Sequence, residues 1–430
     1  MKYVDMKTDK SGLKNKDKNS SRHIFLICAC AFLWLMMMGS KNVYTAEIVE
    51  IMDVFGRNRR DVSMGMTFYF IVYSVVQIVF CFFMKNVNVK WYILITIGLS
   101  GVVTVLIAFM FRLEQLWWLL ALNGLLQAMV WGMCMSALKK HLPSRLLPVA
   151  NTVMNVGTAV AGVISYGTAS LFVSFSRWDL PFIVLGILLS LSAVIFFVAV
   201  KINEQRINDE EILTATVLQK TLGENLIKLN TKSKIAVFYV VTFILSMLIH
   251  CVFYAVMNWM PNLLTDVYGY SNSVGILVSV FAPLATVIGP IIAVYHCEKK
   301  ENYVGVQCLY LAITAVLGVA IALIYDKNSL LIIVLIIAFL IISQATVTLV
   351  FSILPIKVGK FVDTGSHSAL MNGAGGIAAG LMPTIIGSVI DTSGWAFSYI
   401  VIAIVCVVNF LSILLIFLLM NNKRKKMRIN

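Results

Sequence analysis

Charged residues are scarce in this chain. Asp, Glu, Lys and Arg make up only 13% of the 430 residues, whereas 60% of the residues are hydrophobic and the mean hydropathy is +0.90. Soluble globular domains carry about twice that share of charge, roughly 25%. This composition therefore excludes a soluble globular protein and is typical of a helical protein that crosses a membrane several times.

The motifs of catalysis and of metal binding are also missing from the sequence. There is no Gly-rich phosphate loop, no Cys/His cluster and no credible Ser/His/Asp arrangement that would face a pocket. None of the eight cysteines forms a Cys-x-x-Cys pair, and all of them lie in or at the ends of apolar segments, as small buried hydrophobes do. Acidic residues lie mostly in loops, so no carboxylate relay within the membrane is evident. We therefore predict no enzyme activity, no catalytic residue, no metal and no cofactor.

Twelve apolar segments run along the chain. Each is long enough to cross a hydrocarbon core of roughly 30 Å as a helix that rises about 1.5 Å per residue. They cover residues 24–46, 62–84, 91–111, 116–138, 147–173, 181–200, 235–260, 272–296, 303–325, 329–353, 366–390 and 395–420. The sequence therefore predicts an all-α membrane protein with twelve transmembrane helices.

Polar stretches divide these segments into two sets of six. The predicted organisation is a tail 1–22 without a signal-peptide cleavage site, a first bundle 23–201, a linker 202–233, a second bundle 234–420 and a basic tail 421–430. If the N-terminus is cytoplasmic, 27 of the 34 lysines and arginines lie on the cytoplasmic side and 6 on the other. The positive-inside rule then predicts a multi-pass protein of the cell membrane with both termini in the cytoplasm. The net charge of +14 lies in these loops and tails, so it does not indicate nucleic-acid binding.

Short repeated motifs indicate that the two sets are homologous. At an offset of 213 residues, Asp53-Val-Phe-Gly56 matches Asp266-Val-Tyr-Gly269, and at an offset of 217 Met154-Asn155 matches Met371-Asn372. Two pseudo-symmetric six-helix bundles, with a substrate site at their interface near the midplane, are the expected architecture.

Lys41 is a charged residue inside the first apolar segment. It lies 17 residues after Ile24, which places it about 25 Å along the helix. A charge at that depth is costly in lipid and usually faces a protein interior or an aqueous cavity. Alternatively, the side chain extends toward the membrane surface with its apolar stem in the lipid. Both interpretations stay open at this point.

Several residues in order along the chain carry a resemblance to a known family. They are Lys41-Asn42, Tyr73, Gln127-x-Met129-x-Trp131-x-x-Cys134, Trp259-x-Pro261 and Asp391-x-x-Gly394-Trp395. With them the chain resembles the organophosphate:phosphate antiporter branch of the major facilitator superfamily, the group of the glycerol-3-phosphate and hexose-phosphate transporters, over roughly residues 22–420. The resemblance implies the major facilitator fold and transport by alternating access.

The sequence departs from that branch at the substrate site. Ser40 and Phe253 stand where the resembling family has arginines, and Asn258 stands where it has an aspartate. Gln77 replaces a lysine, and Lys85-Asn86 replaces the Asp-Arg signature of the second-to-third loop. Because the arginine fork is the preferred partner of a phosphate dianion, we expect a small organic solute, with an anion favoured, and not a sugar phosphate.

Seven residues are predicted to bind the substrate. Family position and polar character within the segments select Lys41, Tyr73, Gln127, Trp131, His250, Tyr254 and Asn258. Histidine titrates near neutral pH, so His250 would couple a proton, hydrogen-bond the substrate, or simply pack as a neutral side chain. Buried polar groups need partners, so each of the others either faces the cavity or ties two helices together.

The predicted function is secondary active transport of a small organic solute. The expected partners are that small-molecule substrate, the lipid bilayer and a coupling proton or counter-anion, with no nucleic acid and with a monomeric protein. Three alternatives remain: a transporter-like membrane sensor, an organophosphate:phosphate antiporter and a proton-driven efflux pump. The sensor gains weight from the lost arginines, whereas the pump lacks a carboxylate within the membrane.

Overall fold

The structure, a computed structural model, describes residues 9–80, 87–143, 146–204, 232–299, 303–350 and 364–429. Within these ranges the chain forms long α-helices and no β-strand. The first half contains α1 (Asp9–Ala46), α2 (Ile48–Phe55), α3 (Arg59–Phe80), α4 (Val89–Ile107), α5 (Leu113–Gln127), α6 (Val130–His141), α7 (Leu147–Val173) and α8 (Leu180–Glu204). The second contains α9 (Lys232–Tyr268), α10 (Asn272–Val278), α11 (Phe281–Lys299), α12 (Tyr303–Ile324), α13 (Ser329–Thr348) and α14 (Thr364–Ile429).

These helices account for the twelve predicted crossings. Ten stretches of the described residues are long and apolar enough to cross a membrane. One of them, Leu370–Leu414, holds two crossings because Gly394 inside α14 has a φ of 80° and breaks the helix. The 22-residue α3 supplies one more crossing. The predicted all-α membrane fold is therefore confirmed.

The first and last helices extend beyond the predicted membrane segments. α1 begins at Asp9 and α14 continues to Ile429, so parts of the predicted tails 1–22 and 421–430 are helical. Lys and Arg are good helix formers, and no glycine or proline follows Gly394, so nothing in the sequence ends the last helix earlier. Most of the predicted linker 202–233 and the pair Lys85-Asn86 lie outside the described residues.

Each half is held together by long helices in lengthwise contact. In the first half, α1 packs against α7 and α8, α3 against α5, and α4 against α8. In the second, α14 packs against α9 and α12, and α11 packs against α13. The halves meet along two seams, α3 against α14 and α7 against α10 and α11.

Glycine allows the close approach of helices along both seams. A Cβ atom on Gly162 of α7 would lie 2.3 Å from the Cβ of Pro283, and one on Gly380 of α14 would lie 3.0 Å from the Cβ of Phe70. Small residues let helix backbones approach closely within membranes. Gly162 and Gly380 thus lie at the interface between the halves.

The repeated Asp-Val-aromatic-Gly motif has the same backbone conformation in both halves. Gly56 follows α2 with a φ of 58°, and Gly269 follows α9 with a φ of 69°. Both are left-handed, a conformation in which glycine has no steric penalty and commonly ends a helix. Each motif therefore ends a helix at the same end of its half. This end lies opposite the two chain termini, and we call it the distal end.

The cysteines are mostly apolar packing residues, with one exception. Cys30, Cys134 and Cys406 are buried, and Cys251 and Cys308 are half-buried. The prediction of burial is wrong for Cys28, which is exposed on the surface of α1. A thiol facing lipid meets an apolar solvent, so this exposure has little cost. The side chains of Cys81 and Cys297 lie outside the described part.

Candidate substrate cavity and distal gate

A cavity lies between the two halves, nearer to the distal end of the long helices than to their other end. Its lining comes from α1 (Lys41, Asn42, Thr45), α3 (Met66, Phe70), α7 (Tyr166) and α9 (Tyr254, Met257, Asn258). The cavity volume is about 20 Å³. That is far below the range for small-molecule sites, ~300–1,000 Å³, so a solute would bind here only after the two halves move apart.

Lys41 brings a positive charge to this cavity. Its Nζ lies 5.3 Å from the centroid of the Phe70 ring, close enough for a cation–π contact. Within the described ranges, Lys41 forms no ion pair with a carboxylate. Its charge is therefore left for an anion that enters the cavity.

Two further polar groups face the cavity without a hydrogen-bond partner. The Nδ2 amide of Asn258 and the hydroxyl of Tyr166 are buried and unpaired, and both residues line the cavity. A buried polar group that lacks a partner costs about 1–3 kcal/mol. A solute that accepts hydrogen bonds from these donors would recover that cost.

Three of the seven predicted substrate residues line the cavity, namely Lys41, Tyr254 and Asn258. Gln127 lies deeper in the first half, where all its hydrogen bonds go to protein groups. Its Oε1 accepts a bond from the Tyr69 hydroxyl at 2.7 Å, and its Nε2 donates to Ser100 Oγ at 2.9 Å and Ser40 Oγ at 3.3 Å. These bonds join α5 to α1, α3 and α4, so they connect four helices of the first half.

The other three predicted residues surround the cavity without lining it. Tyr73 stacks on Tyr69 with ring centroids 5.8 Å apart. Trp131 packs edge-on against Trp34, with ring centroids 4.7 Å apart, in the core of the first half. His250 stacks on Tyr254, and its Nδ1 lies 2.7 Å from the backbone carbonyl oxygen of Ser246, so Nδ1 carries the proton.

The two positions where the resembling family has arginines are turned away from the cavity. Ser40 is buried, and its hydroxyl donates to the Met37 carbonyl oxygen at 2.8 Å. Phe253 is buried in the main hydrophobic cluster beside Tyr254. The cavity thus lacks a planar fork of donors at both places.

Some of the lining was not identified from the sequence. Helical spacing signals part of it, because Thr45 follows Lys41 by four residues and Met257 follows Tyr254 by three, which places each pair on one face. Tyr166 had no such signal, since it is one uncharged residue in an apolar segment far along the chain.

At the distal end, Arg59 of α3 bridges to the second half. Its guanidinium forms ion pairs with Asp266 and Asp391, the latter at 2.7 Å, and lies 5.9 Å from the Trp395 ring. Only 17% of the Arg59 side chain is exposed. Arg59 is thus held by partners that are distant in sequence, whereas the neighbouring Arg57 is 51% exposed.

A second bridge at the distal end runs from a side chain of the second half to carboxylates of the first half. Asn272 at the start of α10 donates from Nδ2 to Asp53 at 2.9 Å and to Glu50 at 3.0 Å. Nearby, Ser170 of α7 donates to the Ser273 carbonyl oxygen at 2.8 Å. We call the six side chains of the two bridges the distal gate: Arg59, Asp266, Asp391, Asn272, Glu50 and Asp53. The gate closes the cavity from the distal side.

One carboxylate lies buried in the membrane part, contrary to the expectation that acidic residues lie in loops. Glu47 stands between α1 and α2 and is fully buried, and neither carboxylate oxygen has a hydrogen-bond partner. Helical hydrogen bonds continue through it, from Glu47 N–H to Val43 and from Ile51 N–H to Glu47. Glu47 therefore belongs to one nearly continuous helix.

Comparison with known proteins agrees with this architecture. Residues 29–366 match the family described as Major Facilitator Superfamily. The nucleoside transporter NupG covers 92% of this chain, and 99% of its own length, with a TM-score of 0.68 and 12% identity. No curated protein sequence matches the chain.

Two other solved transporters share the fold. A bacterial homolog of the human lysosomal transporter Spinster, in an inward-facing and unoccupied conformation, covers 91% of this chain and 97% of its own, with a TM-score of 0.70 and 13% identity. A D-xylose–proton symporter covers 91% of this chain and 97% of its own, with a TM-score of 0.68 and 11% identity. At these identities the likeness shows the fold and leaves the substrate undetermined.

Proposed function

The chain belongs to the major facilitator superfamily, and we propose that it moves a small organic anion across the cell membrane by alternating access. The observation that carries this proposal is the cavity between the halves, where the charge of Lys41 has no protein counter-ion. A buried cation without a partner is costly. An anionic solute that pairs with Lys41 would offset this cost on binding.

The remaining lining defines the kind of anion. Asn258 Nδ2 and the Tyr166 hydroxyl offer hydrogen bonds, while Met66, Phe70 and Met257 form apolar walls. One ammonium group and two neutral groups suit a single negative charge on a small, partly apolar body. A monocarboxylate is therefore the favoured substrate class.

A phosphate ester fits this cavity less well. Phosphate dianions are bound best by arginine, whose planar fork donates two parallel hydrogen bonds. Ser40 and Phe253, which replace the family arginines, are packed into the protein core. Organophosphate:phosphate antiport, the activity of the resembling branch, is thus the weaker candidate.

Contacts between the halves on both sides of the cavity support alternating access. Under the predicted orientation, with both termini in the cytoplasm, the distal end faces outside. Gln77 and Asn372 also join the halves on the other side of the cavity, since Asn372 Nδ2 donates to Gln77 Oε1 at 2.7 Å. The proposal is a cycle in which the distal gate opens to the outside and the contact near Gln77 opens to the cytoplasm. A monomer is sufficient for this cycle.

Counterflow in liposomes tests the proposed function. The purified protein is loaded with one member of a panel of carboxylates and phosphate esters, and uptake of the same radiolabelled compound is measured. We expect saturable exchange of a monocarboxylate and little exchange of phosphate esters. Strong phosphate-ester exchange would contradict the substrate class, and saturable binding without exchange would identify a sensor instead of a transporter.

A further inference from the structure

A second cavity lies inside the second half, apart from the substrate cavity. Helices α9, α12, α13 and α14 supply its lining, which consists of Ile249, Val252, Leu311, Thr314, Ser343, Thr346, Cys406 and Asn409. None of these residues lines the substrate cavity. The volume of this second cavity is about 10 Å³, and a space of about 10–15 Å³ holds one water molecule. The cavity therefore has the size of a single very small ligand.

Two polar atoms of the lining residues are buried without a hydrogen-bond partner, namely Ser343 Oγ and Asn409 Oδ1. Only 2% of Ser343 and 1% of Asn409 are exposed. The Asn409 amide is held at its other end, because its Nδ2 donates to the Leu248 carbonyl oxygen at 3.1 Å. Buried polar atoms normally have a partner in the protein or in ordered water, so a ligand of this cavity would have to donate to Asn409 Oδ1.

The two threonines of the lining can only accept a further hydrogen bond. Thr314 Oγ1 donates its proton to the Tyr310 carbonyl oxygen at 2.9 Å. Thr346 Oγ1 likewise donates to the Ile342 carbonyl oxygen at 2.9 Å. A hydroxyl group has one proton and two lone pairs, so each threonine retains acceptor capacity alone. Ser343 is then the one hydroxyl group among the lining residues whose proton is still available.

This lining selects a small neutral molecule that both donates and accepts hydrogen bonds. None of the eight lining residues is charged, so an anion would find acceptors and no cation. Hard metal cations are bound through carboxylates and several oxygens, and a charge buried without a counter-charge is costly. An apolar atom would leave Ser343 and Asn409 unpaired. Water meets all the requirements, since a buried water typically makes about three hydrogen bonds.

We propose that the second half contains a site for one water molecule, which donates to Asn409 Oδ1 and to a threonine hydroxyl and accepts from Ser343 Oγ. This water joins α12, α13 and α14, and the Asn409 amide extends the connection to α9. The first half connects four of its helices through the direct hydrogen bonds of Gln127. In the second half the water has that role, and it holds the four helices together as one unit.

The thermal unfolding of Ser343→Ala tests this site by the sign of its effect. If the water is bound, alanine removes one of its hydrogen bonds, and the unfolding temperature of the purified protein should fall by roughly 2–4 °C. If the cavity holds no ligand, the serine hydroxyl is an unpaired buried group. Its removal would then leave the unfolding temperature unchanged or raise it, and either result would overturn the proposal.

Ser192→Ala is the matched control. Ser192 is as buried as Ser343, but its hydroxyl donates to the Leu189 carbonyl oxygen of its own helix, so its loss should leave the unfolding temperature unchanged. The Asn409→Leu background removes the acceptor for the water. In that background Ser343→Ala should no longer lower the unfolding temperature, and an equal effect in both backgrounds would refute a water shared by the two residues.

A second measurement uses the native protein and so does not depend on the folding of any variant. Brief X-ray irradiation converts bound water into hydroxyl radicals, which oxidise adjacent side chains, and mass spectrometry locates the products. Cys406 lines the cavity, whereas Cys30 and Cys134 are equally buried in an apolar cluster of the first half. We expect several-fold more oxidation of Cys406 than of the other two, and equal oxidation of all three would overturn the proposal.

Neither measurement requires a substrate. Failure of counterflow would therefore leave the water site testable, and failure of the water site would leave the proposed transport function intact.

Discussion

Arg59 and Asn272 occupy equivalent positions in the two halves and make reciprocal contacts across the interface. They are 213 residues apart, as are Asp53 and Asp266 of the repeated motif. Arg59 binds Asp266 of the second half, and Asn272 binds Asp53 of the first. The distal gate therefore consists of two equivalent contacts related by the pseudo-twofold axis. One of them is an ion pair, and the other is a hydrogen bond from an amide.

Removal of the charge from the ion-paired side should open the gate. In Arg59→Gln the two aspartates lose their cation, but the glutamine amide can still donate to one of them, so the net loss is that of one hydrogen bond to a charged group, about 1.5–3 kcal/mol. We expect the closed-to-open ratio to fall by roughly tenfold to a hundredfold, since each 1.4 kcal/mol is a factor of ten. Spin labels, attached through a ketone-bearing amino acid at the exposed positions 174 and 327, measure this ratio as a label-to-label distance by electron paramagnetic resonance.

Arg57→Gln is the control for that experiment, because Arg57 is half exposed and its nearest carboxylate oxygen, on Glu114, is 3.9 Å away. Its distances should match those of the native protein. Equal opening in both variants would show that the loss of one positive charge is enough to open the gate. The bridge from Arg59 to Asp266 and Asp391 would then not be what holds it closed.

The seam between α7 and α11 should be sensitive to one added methyl group. In Gly162→Ala the new Cβ would meet Pro283 at 2.3 Å, a separation that forces the backbones apart. We expect a shift toward separated halves, with a cost of about 1–3 kcal/mol to the packed state. Gly167→Ala on the same helix is the control, because a Cβ atom at Gly167 would have no other atom within 4 Å. If the two alanine variants show equal distances, the seam does not limit the closed state.

Lys41 should determine affinity for the anion. In Lys41→Ala the attraction is lost, and a hydrogen bond to a charged group is worth about 1.5–3 kcal/mol, so affinity should fall by more than tenfold. Lys41→Arg retains the charge and should retain more affinity. Lys327→Ala, in an exposed loop, controls for net charge. Unchanged affinity in a well-expressed Lys41→Ala protein would remove Lys41 from the site.

Tyr166 and Asn258 should show opposite effects on stability and affinity. Both have unpaired polar atoms in the empty cavity. Removal of such an atom in Tyr166→Phe or Asn258→Leu should leave stability unchanged or raise it by about 1 kcal/mol, while affinity for the solute falls. Thermal unfolding with and without solute separates the two effects. A lower unfolding temperature without solute would indicate that these groups have structural partners.

The membrane-spanning architecture could be predicted because it depends on local sequence. Apolar stretches of about 20 residues specify crossing helices directly, and the repeated Asp-Val-aromatic-Gly motif indicated the two halves. The charge of Lys41 inside an apolar segment is likewise a local feature of the sequence, and it indicated the cavity.

Long-range contacts could not be predicted in this way. The contacts of Arg59 have no local signal in the sequence, because its partners lie 207 and 332 residues further along the chain. Glu47 was different, since its signal was present and missed. Glu50 and Asp53 lie opposite Ile48 and Ile51, which is the pattern of an amphipathic helix and not of a loop. Glu47 comes four residues before Ile51 and therefore lies on the apolar face of that helix.

The turn at Gly394 has a practical consequence for mapping the protein in cells. It joins the last two crossings through a single left-handed glycine, and it separates Asp391 from Trp395, both of which contact Arg59. An epitope tag inserted there would pull the two residues apart and trap the molecule with its distal end open. Tags for topology mapping belong in the exposed turn at residues 174–177, where no gate residue would be displaced.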